Sequence, residues 1–164
     1  MVTLCDKINN SHVSYVRKSC KFLVTDNKKN RAVEDSTNLI YFFNLFYEKL
    51  YEKDKIFESF FKGFKHRIVV FKKLINFICN LDLHNSSVLQ SKFRELSSIH
   101  QRCSIQMWMF IVFKNTMIEA LLTCFSTSFD QNTIHSWYIC LRFCSDNITR
   151  YYDTSHSYVP HVKN

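Results

Sequence analysis

The chain has 164 residues, of which 46% are apolar, and a formal net charge of +8. This apolar content excludes a largely disordered chain, and the length favours one domain with a sizeable core. One Gly and one Pro exclude a sheet rich in tight hairpin turns, so the composition predicts an all-α fold.

The charge and cysteine patterns limit the expected partners and location. Basic residues alternate with acids, as in EKLYEKDK, and this pattern indicates a solvated surface. No Lys and Arg block with interleaved aromatic residues occurs, so nucleic acid is not an expected partner. The longest apolar run, residues 107–113, is too short to cross a bilayer, so no membrane span is expected. Seven cysteines without a signal-peptide pattern predict reduced thiols in a cytoplasmic protein.

The N-terminal half predicts an arm and two helices. Residues 1–10 have no apolar period and predict a flexible arm, and a first helical stripe runs over residues 12–24. The next helix, over residues 36–53, is apolar on nearly all sides, which indicates burial against several neighbours. A short segment rich in phenylalanine follows, and Gly63 ends it.

Two amphipathic helices come next, and each has a histidine on its apolar stripe. In HRIVVFKKLINFICNLD, His66 and Val70 begin a series with helical spacing, and in VLQSKFRELSSIH the series ends with Leu96 and His100. A single histidine on an apolar face is more often a satisfied core residue. Two imidazoles directed from two helices into one apolar space are poor core material but good iron ligands, so a haem is predicted between them.

The C-terminal third predicts two further helices and a tail. Ser87 with Gln90 fits a capping box at the start of the helix that carries His100, and Ser128 with Gln131 fits another. A long apolar helix is predicted over residues 105–125 and a last helix over residues 130–152. Residues 153–164 lack periodicity and predict a disordered tail.

Several strings, taken in order, resemble the globin family over residues 13–152. FYEKLYEKDKIFESFF resembles the second and third globin helices, and HRIVVFKKLINFICNLD resembles the fifth. LSSIHQRCSI resembles the sixth, and DQNTIHSWYICLRFC resembles the start of the last. The resemblance implies a globin fold of about six or seven helices around a haem pocket, in a domain of residues 11–152. The short segment between Phe61 and His66 implies a short or absent fourth helix.

The resemblance also implies the cofactor, haem b, and the residues around it. It places His100 as the proximal iron ligand and His66 at the distal site, where it binds the iron itself or a gas bound there. The other implied pocket residues are Tyr47, Phe61, Val70, Leu96, Ile105 and Phe110. The candidates for pairing with the haem propionates are Lys62, Arg67 and Arg102.

These assignments lead to one expected function and two alternatives. Two histidine ligands imply a hexacoordinate, bis-histidyl globin, similar to nematode-like or neuronal globins, in electron transfer or in redox or gas sensing with an unidentified redox partner. The first alternative is a reversible oxygen carrier with pentacoordinate haem, in which Tyr47 and His66 donate hydrogen bonds to dioxygen or another diatomic gas. The second is a haem-free helical adaptor for acidic partners. No enzymatic motif rises above background, so catalysis is not expected.

Overall fold

A computed structural model of the protein describes residues 7–24 and 38–152, and all regular elements in these residues are helices. The all-α prediction is confirmed. The predicted tail and most of the predicted arm lie outside the described residues. The helices are α1 Asn10–Val24, α2 Asn38–Lys53, α3 Ile56–Phe60, α4 Phe64–Cys79, α5 Ser86–Arg102, α6 Met107–Phe125 and α7 Gln131–Arg150.

The helices form one core in which the two histidine-bearing helices have different main partners. α1 packs against α7, α2 packs against α6, and α6 packs against α7. α4 lies on α1, whereas α5 lies on α7. The arrangement therefore separates α4 from α5 over much of their length.

The core is built largely from aromatic side chains. On α2, Phe42, Phe43 and Phe46 are buried and surround Phe71 of α4, with ring centroids 5.3, 5.5 and 5.6 Å from it. The predicted burial of α2 on several sides is confirmed, because this helix also packs on α1, α3 and α6. Each buried ring removes a large apolar area from water, which makes these contacts a main source of stability.

Trp137 joins the last helix to the first. Its side chain is fully buried, and its Nε1–H donates a hydrogen bond of 2.8 Å to Ser19 Oγ on α1. A buried indole needs such an acceptor, because an unpaired N–H in an apolar core costs free energy. This hydrogen bond therefore links α7 to α1 within the core.

A disulfide between Cys20 of α1 and Cys79 of α4 was not expected. The two Cα atoms lie 6.4 Å apart, within the range that a disulfide spans. The prediction of reduced thiols is wrong for this pair. Because disulfides persist mainly in oxidising compartments, the pair also weakens the premise of a cytoplasmic location. The free thiols among the described residues belong to Cys103, Cys124, Cys140 and Cys144.

The start of each C-terminal helix differs from the predicted capping boxes. α5 begins one residue before Ser87, and Asn85 precedes it without a side-chain capping bond. At α7 the cap is Asp130, whose Oδ1 accepts a hydrogen bond of 2.7 Å from the Thr133 N–H. Both capping-box predictions are therefore wrong, although the two helices themselves are where the sequence predicted them.

α6 is the most apolar helix of the described chain. This helix of 19 residues is long and apolar enough to cross a membrane by length and composition alone. The apolar run of residues 107–113, from which no membrane span was expected, is only its first part. Several of its side chains, including Met117, Ala120 and Leu121, are fully buried within the protein. Of its most apolar 18-residue window, 33% is buried within the protein.

Candidate functional site

His100 lies near the end of α5 in a geometry that suits a metal ligand. Its Nδ1 is 2.6 Å from the backbone carbonyl oxygen of Leu96, one turn earlier. A carbonyl oxygen only accepts, so Nδ1 carries the hydrogen and Nε2 keeps its lone pair in the neutral ring. Metal-binding histidines are commonly oriented by such a bond to the second ring nitrogen.

The surroundings of His100 favour its neutral form. The side chain is half-buried, and its ring centroid lies 5.2 Å from that of Phe110 on α6. Burial lowers the pKa of His100 below its ordinary value of 6.5, although the bond to the Leu96 carbonyl opposes this. At neutral pH the imidazole is therefore uncharged, as coordination requires.

Four aromatic side chains, Tyr47, Phe61, Phe110 and Phe113, form a wall that connects His100 to the start of α4. Phe110 and Phe113 lie on neighbouring turns of α6. The Phe113 ring centroid is 6.5 Å from Phe61, and Phe61 is 5.2 Å from Tyr47 of α2. This aromatic wall brings together three residues that the sequence assigned to the pocket, and it adds Phe113.

Tyr47 ties the aromatic wall to the first turn of α4. Its side chain is buried, and its hydroxyl donates to the Arg67 carbonyl oxygen at 3.4 Å, a long bond. Burial raises the pKa of Tyr47, as does the neighbouring Tyr51, whereas the Arg67 charge lowers it. The net shift is upward, so the hydroxyl stays protonated and remains a hydrogen-bond donor at any physiological pH.

The Arg67 side chain of α4 lies over two tyrosine rings of α2, and we call this set of contacts the Arg67 clamp. Its guanidinium carbon lies 5.7 and 5.8 Å from the ring centroids of Tyr47 and Tyr51, and Nη1 donates to the Tyr51 hydroxyl at 3.3 Å. Its Nε is buried and has no acceptor among the described residues. A carboxylate arriving at this edge would supply the missing acceptor. The other two propionate candidates, Lys62 and Arg102, are exposed.

His66 lies beside this clamp, but its side chain is exposed. The prediction placed it on the buried stripe of α4. In the structure the predicted stripe is buried only towards its end, at Ile78 and Leu81, and two other buried positions, Phe71 and Ile75, lie outside it. Val70 is only half-buried. Residues 66, 70, 74 and 77 therefore line the border between core and solvent instead of the core itself.

α4 and α5, the two helices that carry the histidines, contact each other through a pair of phenylalanine rings. Phe77 of α4 lies against Phe93 of α5, with ring centroids 5.8 Å apart. At the rise of an α-helix, His66 lies about 16 Å from this contact along α4, and His100 about 10 Å from it along α5. The described ring contacts of His100 include Phe110 and do not include His66.

Apolar side chains of the predicted pocket and of neighbouring segments are only partly covered. Four predicted pocket residues are half-buried, namely Val70, Leu96, Ile105 and Phe110. Large apolar side chains nearby in sequence are exposed: Phe64 at 51%, Ile99 at 38%, Met107 at 52%, Trp108 at 38% and Ile111 at 58%. A flat apolar cofactor held by His100 would cover surface of this kind.

These residues fit a haem in their chemistry. A neutral imidazole with a free Nε2, an aromatic wall and an unpaired guanidinium N–H match the iron, the porphyrin face and an acidic edge respectively. Haem iron needs only one or two protein ligands. The described residues contain no cluster of three or more His, Cys, Asp or Glu side chains that would hold a metal ion without a porphyrin.

Two residues of the site were missed from the sequence. Phe113 follows Phe110 at the helical spacing of three, so the period of the MWMFIVF run indicated it. Tyr152 lies 6.1 Å from Phe110 between ring centroids, and its hydroxyl is buried without a partner among the described residues. Burial, together with the nearby Cys103, raises the pKa of Tyr152 to about 12. Its position after the last helix gave no periodic signal.

Comparison with known proteins adds no relative to this description. No protein-family model, curated protein or solved structure matches the chain. The site is accordingly defined by the geometry of His100, the aromatic wall and the first turn of α4.

Proposed function

We propose that the protein is a haem-binding globin in which His100 is an axial ligand of the iron. The observation that carries the proposal is the 2.6 Å contact between His100 Nδ1 and the Leu96 carbonyl oxygen. This bond selects the tautomer in which Nε2 is free, and it holds the ring against rotation. In this tautomer the Nε2 lone pair is available for coordination.

The helical architecture supports the globin fold as part of the proposal. Seven helices occupy the described residues, and only residues 61–63 separate α3 from α4. Such a short link leaves no room for an additional helix, as expected from the resemblance to globins with an absent fourth helix. The main partner of α4 is α1 and that of α5 is α7, and the proposed position of the cofactor is between α4 and α5.

His66 is the proposed second ligand. It lies on the first turn of α4, after Gly63, whose φ of +77° is a conformation that suits glycine. Because the side chain is exposed, coordination requires its ring to turn from solvent towards the cleft. Iron held by two imidazoles changes oxidation state with little rearrangement, which suits electron transfer or redox and gas sensing with a partner protein.

The alternative, a pentacoordinate oxygen-binding globin, is favoured by two observations. The His66 ring is exposed, and the Tyr47 hydroxyl is protonated and lies within the aromatic wall. The hydroxyl hydrogen is directed to the Arg67 carbonyl oxygen through a long bond of 3.4 Å, which it would exchange for a bond to the diatomic gas. In this alternative Tyr47 and His66 orient the gas and His100 is the only protein ligand.

Absorbance spectra of the chain reconstituted with hemin test both versions. The expected result is a Soret band with a low-spin ferric spectrum. His66→Leu should convert it to a high-spin spectrum, and His100→Ala should abolish stable hemin binding. His84→Leu, in the exposed turn before α5, is the matched control and should leave the spectrum unchanged.

Two other spectroscopic outcomes would replace or refute the proposal. A wild-type spectrum that is already high-spin, and unchanged by His66→Leu, would replace the bis-histidyl proposal with the pentacoordinate alternative. A chain that shows no Soret band after mixing with hemin would refute both. The haem-free adaptor for acidic partners would then be the remaining interpretation.

A further inference from the structure

A hollow of the described surface lies on the face of α4 that carries Lys72, Ile75 and Asn76. It has a volume of about 570 Å³ and opens between α1, α2 and α4. Its apolar lining includes Leu39 and Ile75 together with the Cys20–Cys79 disulfide. The volume lies within the range of small-molecule sites, roughly 300–1,000 Å³.

The rim of this hollow is basic. Arg17, Lys21 and Lys72 line it, and none of its described lining residues is acidic. Arg17 is held in place because its Nε donates to the Cys79 carbonyl oxygen at 3.1 Å and Nη2 donates to that of Leu81 at 3.4 Å. Its charge is therefore fixed at the rim at little further cost in conformational entropy when an anion binds.

Lys72 supplies a second, mobile charge. Its side chain is exposed on α4 and makes no ion pair with the described residues. The side-chain amides of Asn76, on α4, and Asn80, just after it, also line the rim, and Asn80 Nδ2 donates to Asn76 O and Oδ1 at 2.8 and 3.0 Å. One fixed cation, one exposed cation and the Asn76 amide N–H groups are a suitable set of groups for a single anionic head group.

We infer that this hollow binds a single-chain amphipathic carboxylate, such as a fatty acid. The basic rim would pair with the carboxylate, and the apolar lining would cover the first part of the chain. A phosphate or other small anion would leave the lining exposed, whereas a neutral apolar molecule would leave the rim unpaired. The inference does not depend on haem binding, because it uses none of the residues around His100.

Calorimetric titration with laurate below its micellar concentration tests the inference. Laurate should bind with one site per chain, and lauryl alcohol and propionate should bind at least tenfold more weakly, because each lacks one of the two features. Lys72→Gln should weaken laurate binding about fivefold, the usual upper value for one exposed charge pair. Lys73→Gln removes the same charge from the next residue of α4, outside the hollow, and should have no effect.

Three outcomes would overturn the inference. Equal effects of Lys72→Gln and Lys73→Gln would show only a general attraction to a basic protein. Absence of laurate binding would show that the hollow does not accept this ligand. Binding to vesicles of anionic phospholipid without binding of free laurate would indicate a membrane contact instead. Hemin titrations of the same two variants should be unchanged, which separates this result from any failure of the haem proposal.

Discussion

Removal of the Cys20–Cys79 disulfide should lower the free energy of unfolding by about 4 kcal/mol. The bond closes a loop of sequence separation 59, and the loop-closure entropy that it removes from the unfolded chain corresponds to about this value at 25 °C. Single domains are typically stable by about 5–15 kcal/mol, so the loss is a large part of the total. The native contacts of α1 with α4 need not change for this effect to appear.

Urea unfolding followed by tryptophan fluorescence measures the difference. The oxidised and the dithiothreitol-reduced wild-type protein have the same side chains, so their difference isolates the cross-link. The Cys20→Ala/Cys79→Ala variant should be insensitive to dithiothreitol. Cys140→Ala, which alters a buried free thiol on α7, should lose some stability from packing but retain the full effect of the reductant.

The reasoning fails if the oxidised and reduced proteins unfold at the same urea concentration with the same slope. That result would mean that the two thiols are not linked in the folded protein, or that the unfolded chain is already compact enough to keep them together. Thiol counting with and without denaturant distinguishes the two cases.

Three further predictions concern single side chains. Ser19→Ala should lower the free energy of unfolding by about 1–3 kcal/mol in urea, because the buried Trp137 N–H loses its acceptor. Asp130→Ala should lower the thermal midpoint by removing the cap of α7, whereas Asp130→Asn should keep most of it. Because burial lowers the pKa of His100, the apoprotein should lose stability as the pH falls below 6.5, and His100→Gln should lose less over that range.

Controls on the same helices make these predictions specific. Ser14→Ala, at an exposed position of α1, should change the urea midpoint little, and a loss equal to that of Ser19→Ala would contradict the role given to the Trp137 bond. For the pH experiment, the exposed His66 provides the comparison, and a pH dependence that disappears in His66→Gln but persists in His100→Gln would contradict the assignment. For Asp130, equal losses with Ala and Asn would exclude capping as the cause.

The helices could be predicted from the sequence, whereas their first residues could not. The apolar period of α1, α4 and α7 is long enough to identify them, and α7 begins one residue after its predicted start. The caps were misplaced because Ser, Asn and Asp occur close together before both helices, and each is an acceptable cap. In the structure Asp130 accepts such a bond at α7, whereas Asn85 accepts none at α5.

The candidate site could be predicted only in part, for geometric reasons. The spacing of four between Leu96 and His100 puts the imidazole over the preceding turn, so the Nδ1 contact follows from helix geometry. The exposure of His66 does not follow, because the apolar stripe of α4 is wide and its period cannot tell centre from border. The disulfide also required the fold, since its two cysteines are distant in sequence and in different helices.

α4 is fastened near both of its ends, by the Arg67 clamp on Tyr47 and Tyr51 and by Cys79. A shift of α4 along its own axis would break either the Arg67 contacts or the Cys20–Cys79 bond. If His66 is a ligand, as proposed, its movement on binding would be a side-chain rotation or a change of backbone conformation at Gly63. Translation of the whole helix is the least accessible route.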